Sequence, residues 1–424
     1  MTILGIDDTD SATAGMCTTY LGAQIAAQVK PVESTTVLVR LHPAIEHKTR
    51  GNGAVGIHTP APLEEVVAVA TNEIEAHAQF QDPNTNPGLV AVSSIDDAAV
   101  AMPFARKAIR SVCARSTAAA VAEHMGATAD SWGNGRGVIG ALAAVGATAA
   151  AVKETSDPAF DDWTYELLHY REQDRWGTPR RVDAGPLLDA AKQHRPHVWD
   201  TVDLVEHRVT CVPRSPCPVL AGIRGDDPGA IAEVASAVTG EPIAMSRLFR
   251  TNQGTDAHVR AGSLGRVITG HSYAVQGVVA TEPENQPGGH VSFWLSDGAD
   301  TIRCLAFEPT KRFRDHVRCL EPGDRMVAYG EVSQGALKLE KFRLMGLRTT
   351  TRVVPSCPDC DRQMKSAGSG QGYRCRQCGT TTRDKVHVPH ERDLSPGWYT
   401  VPPDARRHLS KPPARIDGPI AVQY

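Results

Sequence analysis

The segment GIDDTD places three carboxylates, Asp7, Asp8 and Asp10, directly after the apolar run ILGI. That run reads as a short buried strand, and ligands of open α/β sheets collect at strand carboxyl ends. In TTYLGAQIAAQV, Leu21, Ile25 and Val29 stand at helical spacing, so Thr18 falls at or near a helix N-terminus. Unpaired N–H groups and the helix dipole favour a phosphate there. A single Asp or Thr is an ordinary turn or cap residue. Three carboxylates this close repel one another unless a cation joins them, which points to Mg2+. A D-x-D phosphohydrolase with an aspartate nucleophile is the rival reading, since Asp8, Thr9 and Asp10 have its spacing. Ala12 stands where such enzymes usually carry Thr or Val.

Two glycine-rich stretches extend this chemistry. HKTRGNGAVG sets Lys48 and Arg50 beside Gly51 and Gly53, and SWGNGRGVIG sets Arg136 among Gly133, Gly135, Gly137 and Gly140. Glycine lets backbone N–H groups approach an anion, and the cations neutralise it. The second stretch contains G-x-G-x-x-G, but the SW before it is no clear strand, which argues against a dinucleotide fold. Either stretch alone reads as a turn; with the aspartates they supply what a nucleoside triphosphate needs. The loop FRTNQGTDAHVRAG concentrates Arg250, Asn252, Gln253, Thr255, Asp256 and His258, and reads as an inter-domain polar contact or a substrate site. CPDC and CRQC bring Cys357, Cys360, Cys375 and Cys378 in two pairs separated by fourteen residues. This spacing suits a structural tetrahedral Zn2+, with Lys365, Arg374 and Arg376 between or beside the pairs, and four thiolates leave no open catalytic position.

The elements that must position these groups alternate. Up to about residue 158, strand TTVLVRLH, helices LEEVVAVATNEIEAHA and ARKAIRSVCARSTAAAVAEHM, and the small-residue segment GVIGALAAVG predict an α/β domain. WTYELLHYR, GPLLDAAKQH, VWDTVDLVEHRVT, PVLAGIR, PGAIAEVASAVT and IAMSRLFRT then predict the βαββαβ order of a ferredoxin-like unit. SYAVQGVVA, HVSFWLSD, TIRCLAFE, the helical PTKRFRDHVRCL, RMVAYGEV and ALKLEKFRLM predict an OB-fold. In it Val291, Phe293 and Leu295 share one face, leaving Trp294 on the other to stack a base or cover a neighbouring domain. The expected domains are 1–158, 159–270, 271–350, a zinc ribbon at 351–388, and a basic, Pro-rich, extended tail at 389–424.

At 424 residues the chain exceeds one core, and its net charge of −3 conceals an asymmetry. Arg303 to Arg415 carries 22 Lys and Arg against 12 Asp and Glu, whereas the remainder carries 23 against 36. A basic C-terminal half suggests a polyanionic partner, or a solvated face. The longest uncharged run, GVIGALAAVGATAAAV, has 16 residues, too short and too weakly apolar to span a bilayer. No signal peptide is visible, and six scattered cysteines beside one metal set fit a reducing cytoplasm.

The stretches GIDDTD, GMCTTYL, RLHPAIEHKTRGNGAV, GNGRGVIGALAAVG, YELLHYR, PVLAGIRG, FRTNQGTDAHV and AFEPTKRFR, with the paired CxxC motifs in this order, resemble the archaeal isoleucine-tRNA 2-agmatinylcytidine synthetases over nearly the whole chain. The resemblance implies a kinase-like domain, a ferredoxin-like domain, an OB-fold and a zinc ribbon. It implies ATP-dependent ligation of agmatine to carbon 2 of the wobble cytidine of an isoleucine tRNA with a CAU anticodon, so that AUA is read rather than AUG. It further implies that the cytosine oxygen is phosphorylated, that the amine displaces the phosphate, and that a threonine of GMCTT, here Thr18, is itself phosphorylated. On motif position, Asp7, Asp8 and Asp10 would hold Mg2+ and triphosphate, with one possible acceptor of the amine proton among them. Lys48, Arg50, Gly51, Gly53 and the Gly135–Arg136–Gly137 turn would hold phosphates; Arg224, Asn252, Asp256 and His258 would meet agmatine or the flipped cytosine. The competing class is a non-enzymatic binder of single-stranded nucleic acid, which leaves the acidic motif without purpose. No obligatory protein partner and no membrane are implied.

Overall fold

The computed structural model describes residues 1–29, 34–155, 157 and 160–421. The expected boundary at 158–159 and the last three residues of the tail lie outside the described residues.

The first part contains strands β1 (Thr2–Asp7), β2 (Thr35–Arg40), β3 (Gly53–Thr59), β4 (Gly88–Val92) and β5 (Thr128–Ser131). Its helices are α1 (Thr18–Gln28), α2 (Leu63–His77), α3 (Ile95–Ala99), α4 (Met102–Arg110), α5 (Arg115–His124) and α6 (Val138–Lys153). Alternation along the strands splits the core by face. Leu4, Ile6, Leu38 and Val55 pack with Leu21 and Ile25 of α1 and Val66 and Ile74 of α2, while Ile3, Val37, Val39 and Val90 pack with α4 to α6. GVIGALAAVG is the buried helix α6, and glycine is what lets it lie against the sheet: a Cβ on Gly5 of β1 would sit 2.0 Å from the Ala141 carbonyl oxygen. Contrary to expectation, a strand, β5, does precede the second glycine-rich turn. Its four residues TADS are all exposed, so no apolar alternation announces it.

The second part contains β6 (Thr164–Arg171), α7 (Ala184–Gln193), β7 (Val198–Trp199), β8 (Val202–Asp203), β9 (Arg208–Val209), β10 (Val219–Gly225), α8 (Pro228–Ser236) and β11 (Ile243–Thr251). VWDTVDLVEHRVT is not one strand. Left-handed backbone at Asp200 (φ 55°) and His207 (φ 48°) breaks it into β7 and a separate β8–β9 hairpin. Strand order is β11–β6–β10–β7, and β11 pairs in parallel with β2 through Arg250–Val37 and Thr251–Leu38. The two parts therefore share one nine-stranded sheet, β5–β4–β1–β3–β2–β11–β6–β10–β7.

Beyond it lie β12 (Val259–Gly262), β13 (Ser272–Val279), β14 (Glu284–Asn285), β15 (Val291–Ser296), β16 (Thr301–Ala306), α9 (Arg312–Arg318), β17 (Arg325–Ser333) and β18 (Ala336–Gly346). The circuit β13–β17–β18–β16–β15 closes through β13–β15 pairing into a five-stranded barrel. Val291, Phe293 and Leu295 are buried inside it, and Trp294 is 43% exposed.

The ribbon hangs from β19 (Thr350–Val353), paired with β23 (Val386–Pro389), and holds β20 (Lys365–Ser366), β21 (Tyr373–Arg374) and β22 (Thr381–Thr382). Cys357, Cys360, Cys375 and Cys378 bring their sulfurs together at 3.3 Å (Cys357–Cys378), 3.5 Å (Cys360–Cys375) and 3.8 Å (Cys360–Cys378). Tetrahedral zinc with Zn–S bonds of about 2.3 Å needs sulfur separations of roughly 3.8 Å. The buried core here is two of those cysteines and Met364, too small to hold the fold without the metal.

The C-terminal segment departs from the expected extended tail. β24 (Gly397–Thr400) adds to β18 and buries Trp398 and Tyr399. The chain then crosses back to the large sheet: Gly254 N–H donates to the His408 carbonyl (2.8 Å) and Asp256 N–H to the Leu409 carbonyl (2.8 Å). Arg415 ends the strap on Asp162 and Asp226 (both 2.6 Å).

Candidate active site

A cleft of about 360 Å3 opens where β1, β2, β6 and β10 converge, lined by Asp7, Asp8, Asp10, Thr18, Arg40, Arg136, Glu166, Arg224 and His408 among others. Asp7 ends β1, and the chain leaves the strand through Asp8 in the left-handed region (φ 58°). This turn keeps the neighbouring carboxylates on one wall. Gly140 on α6 makes room for the first of them, because a Cβ there would lie 1.8 Å from Asp7 Oδ2. Asp8 meets Arg136 at 3.4 Å, and Asp10 accepts a hydrogen bond from Thr49 at 2.5 Å with Arg50 3.9 Å away. Burial, then the Asp8 charge, raises the Asp7 pKa well above its usual value. Burial pushes Asp8 up to about 6 against the opposing pull of Arg136, and burial raises Asp10 as well. Thr18 begins α1, is 5% exposed, and its hydroxyl accepts a hydrogen bond from Thr9 (3.1 Å).

The facing wall is cationic. Arg40 ends β2, its guanidinium packed where a Cβ on Gly51 or Gly53 would come within 2.9 or 3.0 Å of Nη1. Glu166 of β6 is 2% exposed and accepts from Arg224 Nε (2.8 Å) and Gln253 Nε2 (2.6 Å), with Arg40 Nη2 at 3.8 Å. Burial alone would raise its pKa, but Arg224 and Arg40 hold it below the ordinary glutamate value. Arg40, Glu166 and His408 escaped sequence reasoning: two sit in unremarkable strands and one in a tail, and only tertiary folding brings them together.

The remaining expected phosphate ligands divide. Lys48, Arg50, Gly51, Gly53 and Arg136 line the cleft; Gly135 and Gly137 do not. A Cβ on Gly137 would lie 2.4 Å from the Asn86 carbonyl oxygen, so this glycine serves close chain packing. Arg50 donates to the carbonyls of Ala14 (2.6 Å) and Met16 (2.7 Å), bracing the loop before Thr18, and Lys48 donates to the Pro43 carbonyl.

Of the four residues expected to meet agmatine or cytidine, only Arg224 lines the cleft. Asn252 bonds to the backbone N–H and carbonyl of Arg40 (2.8 and 3.0 Å), and His258 is buried against Glu340 (3.1 Å). Asp256 is committed to Lys341, whose ammonium donates to both carboxylate oxygens (2.7 and 2.6 Å) while 1% exposed. Asn252 therefore joins strands within the large sheet, while His258 and Asp256 tie that sheet to the barrel and strap. Asp256→Ala strands a buried ammonium, and its expected effect is a loss of about 3–5 kcal/mol of stability in a denaturation experiment.

Among the described residues, the cysteine set is the one group of three or more His, Cys, Asp or Glu whose ligand atoms all lie within 4.8 Å of one another. The aspartates share a wall without converging on one point.

Three family models match the chain: the TiaS TCKD domain over residues 3–62, the TiaS FLD domain over 135–258, and the TiaS C-terminal zinc ribbon domain over 354–394. The isoleucine-tRNA 2-agmatinylcytidine synthetase TiaS of Haloquadratum walsbyi is 43% identical over 99% of each chain. A solved complex of a TiaS with its isoleucine tRNA and ATP superimposes with a TM-score of 0.87 at 38% identity, covering 99% of both chains. A complex of a TiaS with that tRNA, AMPCPP and agmatine gives 0.84 at 36% identity and the same coverage.

Proposed function

The chain belongs to the TiaS family of isoleucine-tRNA 2-agmatinylcytidine synthetases, and on that premise we propose that it ligates agmatine to carbon 2 of the wobble cytidine of an isoleucine tRNA at the expense of ATP. One observation carries the residue assignments: Asp7, Asp8, Asp10 and Thr18 line a single cleft with Arg40 and Arg224, and Arg136 stands beside Asp8. In this reading the first part (1–158) is a kinase-like ATP-binding domain and the second (159–270) a ferredoxin-like domain, whose shared sheet forms the cleft floor. The barrel (271–350) is an OB-fold that grips tRNA together with the ribbon (351–388).

The chemistry explains the need for ATP. The oxygen on cytosine C2 is amide-like and a very poor leaving group, and each 1.36 kcal/mol of barrier is tenfold in rate, so phosphorylating it first lowers the cost of expelling it. The target base leaves its stack to reach the cleft. Lys48, Arg40, Arg136 and Arg224 offset phosphate charge, while Arg50 fixes the loop that presents Thr18. Thr18 would carry a phosphoryl group, which the helix N-terminus there would favour.

Asp7, Asp8 and Asp10 fit Mg2+. The ion usually takes one or two carboxylates plus substrate phosphates and water rather than a closed protein cage. Carboxylates that share one wall, with burial resisting ionisation of all three and neighbouring carboxylate charge resisting that of Asp7 and Asp8, match that donor set. When bound, the ion would neutralise charge on the phosphates being transferred.

Incubation with labelled ATP, the CAU-anticodon tRNA and agmatine tests the reading. The expected result is AMP together with agmatine on the tRNA. No nucleotide turnover would mark a binding protein, and phosphate release without ligation a phosphohydrolase.

A further inference from the structure

The strap that follows β24 does more than close the fold, because it delivers one side chain into the cleft. His408 lines the cleft beside Gly51, where its Nε2 lies 3.4 Å from the position a Gly51 Cβ would take. Its backbone is fixed from both sides. Arg406 pairs with Asp200, Arg407 with Glu331 (2.7 Å) and Glu340 (3.2 Å), the His408 carbonyl accepts from Gly254, and Leu409 is buried. Yet the ring itself meets no structural need for hydrogen bonding: its Nδ1 is buried with no partner among the described residues. A side chain held so firmly, with its ring left unbonded, is available to a ligand.

We propose that His408 accepts the proton that agmatine's primary amine loses as it attacks cytosine C2. The inference rests on the ligation reading above. In this step the amine nitrogen bonds to C2 and the C2–O bond breaks, with its electron pair leaving on the phosphate. The amine proton passes to Nε2 of His408 and from there to solvent. Attack and departure share one carbon, so the acceptor must stand beside the cations that hold the departing phosphate. His408 does so beside Arg40, Arg224 and Lys48, and unlike the aspartates it is not required by a cation and nucleotide.

Charge supports the necessary protonation state. Burial, then Arg40 of β2, Arg224 of β10 and Lys48, lower the His408 pKa well below its ordinary value. Arg407 beside it is already paired with Glu331 and Glu340 on the barrel side. The imidazole therefore waits neutral. Arg40 Nη1 also borders Gly51, 2.9 Å from the same Cβ position, and a guanidinium there favours a lone pair rather than a proton on Nε2. Phosphates bound against these cations would offset them and raise the basicity of the ring where the amine arrives.

Full-length His408→Gln and His408→Gly proteins separate the two steps. Transfer of ATP phosphate to tRNA, measured without agmatine, should stay within about twofold of the parent. Agmatine transfer should fall by about a hundredfold or more, the range of general-base contributions. It should recover by about tenfold per pH unit as free amine increases, and imidazole should restore the His408→Gly protein. Undiminished agmatine transfer, or equal losses in both steps without imidazole rescue, would overturn the assignment. If the parent protein itself transferred phosphate but never agmatine, the ligation reading would fall first and this inference with it.

Discussion

Asp8→Asn should remove ATP turnover and agmatine transfer together, by at least about a hundredfold, while leaving the protein as stable as its parent or more so. The residue sits in left-handed backbone, a conformation that Asn adopts about as readily as Asp, so the turn after β1 survives. The isosteric amide keeps the shape of the cleft wall. It removes one of three half-buried carboxylates, whose ionisation is opposed by partial burial and by Asp10, with Arg136 the main compensating charge. In the free protein that substitution relieves repulsion. In the complex with nucleotide it removes a charge that a cation and the transferring phosphoryl group would use, and losses of about a hundredfold to a thousandfold are typical for a single electrostatic stabiliser. The signature is opposite movement of two measurements, melting temperature level or higher and AMP formation lost. Normal turnover in this variant would refute the metal role of the aspartate wall.

What the sequence disclosed, and what it concealed, follows from the range of the interactions concerned. Asp7, Asp8, Asp10 and Thr18 are legible because strand end, turn and helix start are contiguous, so local pattern alone places them. The four ribbon cysteines are legible because their spacing carries the geometry of one ion. α6 could be read as close-packed but gave no amphipathic stripe, because it is buried nearly all round and has no polar face to alternate with. The parallel pairing of β11 with β2 joins strands far apart in the chain, Arg250 to Val37, and no feature of either strand names the other. Asp256 looked like a free carboxylate able to meet a guanidinium, but its partner Lys341 lies in a barrel strand 85 positions away. The strap misled for a related reason. Proline and arginine resemble an unstructured basic tail in composition, and only the acidic residues waiting on other elements, Asp162, Asp200, Asp226, Glu331 and Glu340, make it a folded one.

That strap bears on any test of the nucleic-acid role proposed for the ribbon. Truncation before Ser356 removes the ribbon but also β24, His408 and Arg415, and should therefore cost the cleft as well as the grip on tRNA. Because β19 and β23 pair side by side, with Val353 opposite Val386, the residues between them form a unit whose ends already meet. Excising 354–385 and joining the strands by a short Gly-Ser link should leave barrel, strap and cleft in place. The expected result is ATP binding within about twofold of the parent and tRNA affinity reduced at least about tenfold at moderate salt. The excised stretch carries Arg362, Lys365, Arg374, Arg376, Arg383 and Lys385, so the dependence of log affinity on log salt should also become shallower, by roughly 0.7 for each phosphate no longer neutralised on a single strand. Stripping zinc from the intact protein should reproduce the loss, since metal binding supplies about 10–16 kcal/mol in comparable zinc-dependent folds and the ribbon has little other core. An unchanged salt slope after excision would locate the tRNA contacts on the barrel instead, where the exposed Trp294 and the neighbouring Arg303 on β16 offer a stacking surface of their own.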